Sequence, residues 1–269
     1  MIHNNYAHWS KTEYLNTDTF WCAITRFNVR MKDFADEAEF QAFSESRVLP
    51  FLNWCVKSVQ RQIIGYHKHY VLFDETWARR AVELAEIIGW DRFCPVIVPR
   101  DHGPTASIVD LKQAHLNADA AGFDFVASTR LDSDDMLATR YTAFVDDMIA
   151  AVRKDYQAPL AINFPYQLRK DGDRVGVYVA TVSAESTTWE PAGAVRTGYS
   201  VGHHQLRQAF ELFECGTKYP MVLVNRHASN IGFFDWHDLK LLADPEAVLQ
   251  ESFGIGMADL EPPAAPNLA

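Results

Sequence analysis

Apolar residues recur along the first half of the chain in two alternating rhythms. Unbroken apolar runs occur at residues 20–29 (FWCAITRFNV), 69–73 (HYVLF), 93–98 (FCPVIV) and 123–131. Between them apolar positions fall three and four apart. The sets are Leu49, Leu52, Val56, Val59 and Ile63; Trp77, Ala81, Leu84, Ala85 and Ile88; and Ile108, Leu111, Ala114 and Ala118. After the last run come Leu137, Tyr141, Phe144, Val145, Met148 and Val152. The runs predict buried strands and the spaced sets predict helices with one apolar face, the last helix following from about Met136. Pro50 suits a first helical position, and Gly89 and Gly122 suit helix ends. Strands alternating with helices predict an α/β fold with a mostly parallel, doubly wound sheet.

In such sheets ligands bind beyond the carboxyl ends of the strands. The polar residues at those ends are Arg26 and Asn28, then Asp74, then Arg100 and Asp101, and finally Asp132, Asp134 and Asp135. The second half reads differently. Residues 159–166 and 175–182 predict a hairpin around the polar stretch 169–174 (RKDGDR). Residues 183–200 read as a loop and a candidate lid. A short helix is expected around Leu206, Phe210 and Phe213, and a last buried strand over 219–224. One domain is expected over 1–260, with a nucleotide-binding half at about 18–155 and an acceptor-side half at about 156–260. The Pro- and Ala-rich tail 261–269 is expected to be disordered.

Composition narrows the function. The 269 residues carry a formal charge of −10, which makes nucleic acid an unlikely target for charge-driven binding. An anionic ligand would need a cation or local arginines. Aromatics reach 13 % with seven Trp, enough for a large core and for rings that stack on a sugar. The four cysteines form no C-x-x-C pair and read as buried free thiols in a reducing cytoplasm. The opening residues 1–5 (MIHNN) lack the features of a signal peptide, and no apolar run has the length of a membrane span. A cytoplasmic protein is expected, with peripheral membrane contact left open.

Asp132, Asp134 and Asp135 end an apolar strand. Carboxylates packed this closely repel one another unless something positive lies between them. A hard divalent cation, Mg²⁺ or Mn²⁺, is the usual answer. The plainer alternative is an acidic helix N-terminus favoured by the helix dipole. An EF-hand loop fits worse, because its Gly and Glu positions fall on Leu137 and Ala143. Arg26 and Arg130 lie on predicted central strands, where an unpaired charge is costly, and they could meet a phosphate; so could Arg100 or Arg226.

A strand running into Asp-x-Asp resembles the signature of GT-A glycosyltransferases. Residues 129–135 (TRLDSDD) look especially like the bacterial rhamnosyltransferase family, as do 25–30 (TRFNVR) and 224–230 (VNRHASN). The resemblance runs from the first strand to the last. It implies a GT-A-like (Rossmann-like) fold and a metal-dependent transferase using Mn²⁺ or Mg²⁺. The donor would be a nucleotide-diphosphate sugar, and the acceptor a hydroxyl of a saccharide or lipid-linked saccharide. It implies that Asp134 binds the metal, that Asp135 binds it or supports it, and that His227 completes the site. Asp132 would contact ribose or metal, and Asp74 would hold the nucleoside alongside Asn28 and the arginines.

An inverting transferase needs a base near the acceptor. Glu185, Glu190, His203, His204 and Asp235 are candidates, and Glu190 is preferred because neighbouring Trp189 could stack on a sugar. Two other readings compete. Residues 198–202 (GYSVG) match the G-x-S-x-G elbow of serine hydrolases, with Ser200, Asp235 and His237 in triad order. A non-catalytic nucleotide or glycan binder would keep the acidic site without a base. His67 and His69 share a strand face and could bind a metal, or stand as plain surface residues.

Overall fold

The computed structural model describes residues 12–29, 34–156, 159–180, 182–202, 205–217, 219–226 and 239–260. His227 and the tail 261–269 lie outside the described residues, as do His203, His204, Asp235 and His237.

The four apolar runs form β1 (Thr19–Arg26), β2 (Lys68–Asp74), β3 (Phe93–Val98) and β4 (Phe125–Arg130). They pair in parallel in the order β4-β1-β2-β3. Along β1, Trp21 and Ala23 enter one apolar core while Phe20, Cys22 and Ile24 enter the other. Burial on both faces is why these strands lack alternation. Helices cover the sheet, among them Ala78–Ile88, which stops where Gly89 takes a left-handed φ of 58°. A helical stretch over 48–60 contains a π-helical turn at Phe51–Val56.

The next strands are β5 (Met136–Leu137), β6 (Leu160–Asn163), β7 (Tyr166–Asp171), β8 (Arg174–Val179) and β9 (Ser186–Pro191). Then come β10 (Glu211–Glu214), β11 (Val222–Arg226) and β12 (Lys240–Leu241). The main sheet has seven strands in the order β10-β6-β9-β4-β1-β2-β3, with β9 antiparallel to both neighbours. A second, five-stranded sheet has the order β12-β8-β7-β11-β5. The architecture is mixed α/β, with a mostly parallel central sheet flanked by helices.

Three expectations change. The hairpin pairs β7 with β8, so residues 169–171 belong to a strand and the turn is confined to Gly172 and Asp173. Residues 183–200 contain β9, inserted beside β4. Its hydroxyls pair across the sheet, Ser128 Oγ with Thr188 Oγ1 at 2.8 Å and Thr129 Oγ1 with Thr187 Oγ1 at 2.7 Å. A Ser/Thr-rich segment can therefore be buried in mid-sheet. The acidic turn is followed by β5, which pairs antiparallel with β11, and the helix begins only at Tyr141.

Candidate active site at the strand ends

The acidic turn leaves β4 in fixed register. Leu131 N–H donates to Ile24 O at 3.0 Å, and Asp135 N–H returns to Asp132 O at 3.3 Å. Asp135 Oδ1 accepts the backbone N–H of Asn225 at 3.0 Å, which ties the turn to β11. The helix-cap reading fails here: Arg140 occupies the cap position of Tyr141–Val152 and makes no side-chain cap bond.

A third carboxylate joins from the other side. Extending the β4–β9 pairing beyond Thr129↔Thr187 sets Glu185 opposite Leu131. Carboxylate oxygens of Asp132, Asp135 and Glu185 lie within 4.8 Å of one another. Glu185 is fully buried and Asp135 nearly so. Glu185 Oε2 accepts from Ser183 Oγ at 3.1 Å and from Gln167 Nε2 at 3.3 Å. Its Oε1 is buried and has no N–H or hydroxyl donor among the described residues, and the neighbouring acid that interacts with the Glu185 side chain is Asp135. Burial, then the charges of Glu185, Asp134 and Asp132, drive Asp135 well above the usual carboxylate range. Burial and Asp132 raise Glu185 as well.

Asp134 turns another way. Its Oδ1 meets Arg47 Nη2 at 3.0 Å in a nearly solvent-free ion pair, and Arg47 also donates to Ser133 Oγ at 2.6 Å. Among the described residues the three-carboxylate group that could hold a cation is Asp132, Asp135 and Glu185; the expected set of Asp134, Asp135 and His227 includes a residue outside the described ones.

Two of the strand-end arginines converge. Arg26 and Arg130 both place their guanidinium carbons over the Tyr199 ring, at 4.3 and 4.5 Å from its centroid. Each such contact is worth about 0.5–2 kcal/mol. Tyr199 Oη donates to Leu131 O at 3.0 Å and lies 3.4 Å from Asp132 Oδ1. Burial lowers Arg26. Burial also pulls Arg130 down, yet Asp132, Tyr199 and Glu185 together hold it above its ordinary value. Asn28 and Asp74 form a second pair, Asn28 Oδ1 accepting Asp74 N–H at 2.9 Å. Asp74 Oδ1 then caps a short helix through Thr76 N–H at 3.0 Å. Arg100, beyond the edge strand β3, instead pairs with half-exposed Glu37.

The family model described as "Putative rhamnosyl transferase" matches residues 21–232. The chain belongs to this family. Its enzyme class is therefore glycosyltransferase, and the match runs from within β1 through the acidic turn and Glu185. No curated protein matches. Among solved structures, a 4-diphosphocytidyl-2C-methyl-D-erythritol synthase from Anaerococcus prevotii shares 15 % identity at a TM-score of 0.40, over 83 % of this chain and 94 % of that one. A protein described as a "putative nucleotide-diphospho-sugar transferase" from Desulfovibrio desulfuricans shares 12 % identity at 0.38, over 78 % and 82 %. TarS from S. aureus shares 10 % identity at 0.42, over 77 % and 37 %. These are loose superpositions, and the fold assignment rests on strand order.

The remaining sequence candidates in this rhamnosyl transferase family member take structural places. Glu190 is fully buried at the far end of β9, opposite Val126, and away from Asp132 and Asp135. It accepts the N–H groups of Arg196 and Thr197, each at 2.8 Å, and Thr188 Oγ1 at 2.9 Å. A buried carboxylate with three donors is occupied by the fold, and the expected catalytic base thus lies apart from the three-carboxylate group. Trp189 is buried, stacks on Phe125 at 4.2 Å and donates to Thr19 Oγ1, so it cannot face a sugar. Of the other described Trp residues, Trp21, Trp54 and Trp77 are buried and Trp90 packs on the core. His69 is buried with Nε2 3.0 Å from Thr25 Oγ1, and burial lowers it to about 3; His67 Nδ1 accepts Trp21 N–H at 2.8 Å. They make no metal pair.

The hydrolase reading fails on geometry. A 3₁₀ turn, Ala192–Ala194, precedes Ser200 instead of a strand, and the helix Leu206–Ala209 has only four residues. Ser200 Oγ donates to Thr197 O at 2.9 Å.

Nothing in the sequence singled out Arg47 or Tyr199, and Glu185 stood as one of five candidate bases, behind Glu190. Tyr199 lay inside the GYSVG match but was passed over for its serine.

Proposed function

We propose that this chain is a metal-dependent glycosyltransferase that moves a sugar, rhamnosyl by family, from a nucleotide-diphosphate donor to a hydroxyl of a saccharide or lipid-linked acceptor. The observation that carries the reading is the convergence of Asp132, Asp135 and Glu185 from two strands, beside Arg26 and Arg130. An all-oxygen set suits Mg²⁺ or Mn²⁺. The buried Glu185 carboxylate and the Asp135 carboxyl crowded against it fit a cation between them. A bound divalent ion would offset the negative charge that grows on the departing diphosphate.

The chain's own groups do the rest. Arg26 and Arg130 offer fixed positive charge to phosphate oxygens. Asn28 and Asp74 border the nucleoside side at the end of β2. Arg47 holds Asp134 and Ser133, which fixes the turn that carries Asp132 and Asp135. No helix among the described residues is long and apolar enough to cross a membrane, so a lipid-linked acceptor would be met at a membrane surface.

A thermal-shift panel of nucleoside diphosphates, with Mn²⁺ and with chelator, tests this. Ligand at 100 times its Kd stabilises the folded state by about 2.7 kcal/mol. Stabilisation that needs Mn²⁺ and disappears in Asp135→Asn supports the reading. Equal stabilisation with chelator present sinks it.

A further inference from the structure

We propose that Tyr199 is the element that makes Arg26 and Arg130 a ready grip for the donor's diphosphate, and that Glu190 sets Tyr199 from the opposite end of β9. This rests on the nucleotide-diphosphate reading above. The two arginines end adjacent parallel strands, where like charges facing a common space would splay apart. Tyr199 takes both guanidiniums on one ring and is itself anchored to Leu131 O. Arg130 is also held by Asp132, its Nε lying 3.9 Å from Asp132 Oδ1. Two guanidiniums fixed on one ring are complementary to phosphate oxygens.

The placement of Tyr199 is over-determined. Tyr199 N–H donates to Thr197 Oγ1 at 3.3 Å. Thr197 is the sole non-glycine among the described residues with a positive φ, 66°, an unfavourable conformation for a β-branched residue. Glu190 holds that conformation by accepting the N–H groups of Arg196 and Thr197. Glu190 is thus a positioning residue that acts through Thr197 and Tyr199, with no contact to donor required.

Calorimetry on the full chain tests this with three probes: Mn²⁺ alone, a nucleoside monophosphate, and the nucleoside diphosphate with Mn²⁺. Tyr199→Leu should weaken diphosphate binding roughly tenfold or more, and monophosphate binding and Mn²⁺ alone much less. Tyr199→Phe, which keeps the ring and loses the Leu131 bond, should fall between. Glu190→Gln turns an acceptor into a donor facing Arg196 N–H and should weaken diphosphate binding about threefold to tenfold. Adding Thr197→Asn, a residue that tolerates left-handed φ, should restore part of that loss. Diphosphate affinity unchanged in Tyr199→Leu overturns the proposal. So does an equal loss for all three probes, or Glu190→Gln without rescue by Thr197→Asn. A wild-type chain that binds no nucleoside diphosphate overturns the donor reading itself.

Discussion

Glu185 and Glu190 stand at opposite ends of β9, and the contrast between them locates the site. Both carboxylates are sealed from solvent, and burial raises both. Glu190 has backbone N–H donors on each oxygen and a hydroxyl besides. Glu185 has protein donors on one oxygen only; the other lies among two aspartates, and its one further side-chain partner is the crowded Asp135 carboxyl. A buried carboxylate that is fully bonded supports architecture; one left half-bonded beside like charges is held for a ligand. Burial alone does not separate the two, and neither does a raised pKa. The census of donors does.

The largest expected effect separates the two glutamates by function. Glu185→Gln should cut Mn²⁺-dependent nucleoside diphosphate affinity by roughly a hundredfold or more, read by calorimetry, because a charged metal ligand is lost. The metal-free variant should meanwhile be as stable as wild type or more so, since like-charge repulsion is relieved. Arg47→Met addresses a third buried carboxylate. It removes one guanidinium partner from Asp134 and should cost about 1.5–3 kcal/mol in urea unfolding, the range for hydrogen bonds to a charged group. Glu190→Gln comes next, with about 1–3 kcal/mol lost from stability and Mn²⁺ binding retained. Ser200→Ala is the smallest, within about 0.5–1.5 kcal/mol, the range for one hydrogen bond, and no activity should vanish with it.

The pH response sharpens the same comparison. Asp135 and Glu185 titrate above the ordinary carboxylate range when folded. The folded state therefore binds protons there more readily than the unfolded chain does. Metal-free stability should fall as pH rises from that ordinary range through the raised values, and recover as pH is lowered again. Asp18, held low by Arg153, has the opposite sign and loses its contribution in acid. The difference between wild type and Glu185→Gln isolates the site. Thermal melts across pH should show that difference widening toward neutral pH and closing when Mn²⁺ is added.

How much of this was legible in the sequence differs by element. The parallel strands could be read because they are buried on both faces and so run apolar without interruption. The acidic turn could be read because its carboxylates are contiguous. β9 could not, since its Thr and Ser side chains satisfy one another across the sheet, a pairing invisible along the chain. Its misreading as a loop also hid the difference between Glu185 and Glu190, and it made Trp189 look free to stack on a sugar. Arg47 reads as an ordinary helix-end residue, and its partners Ser133 and Asp134 lie far away in sequence. Asp134 was singled out by motif, yet its ion pair with Arg47 could only be seen in the fold.

The central claim is that Asp132, Asp135 and Glu185 together hold a divalent cation. Mn²⁺ binding followed by electron paramagnetic resonance in wild type, Glu185→Gln and Glu190→Gln tests it most directly. The account predicts one Mn²⁺ site in the wild-type chain, lost in Glu185→Gln and kept in Glu190→Gln. Wild-type Mn²⁺ affinity in Glu185→Gln would contradict it.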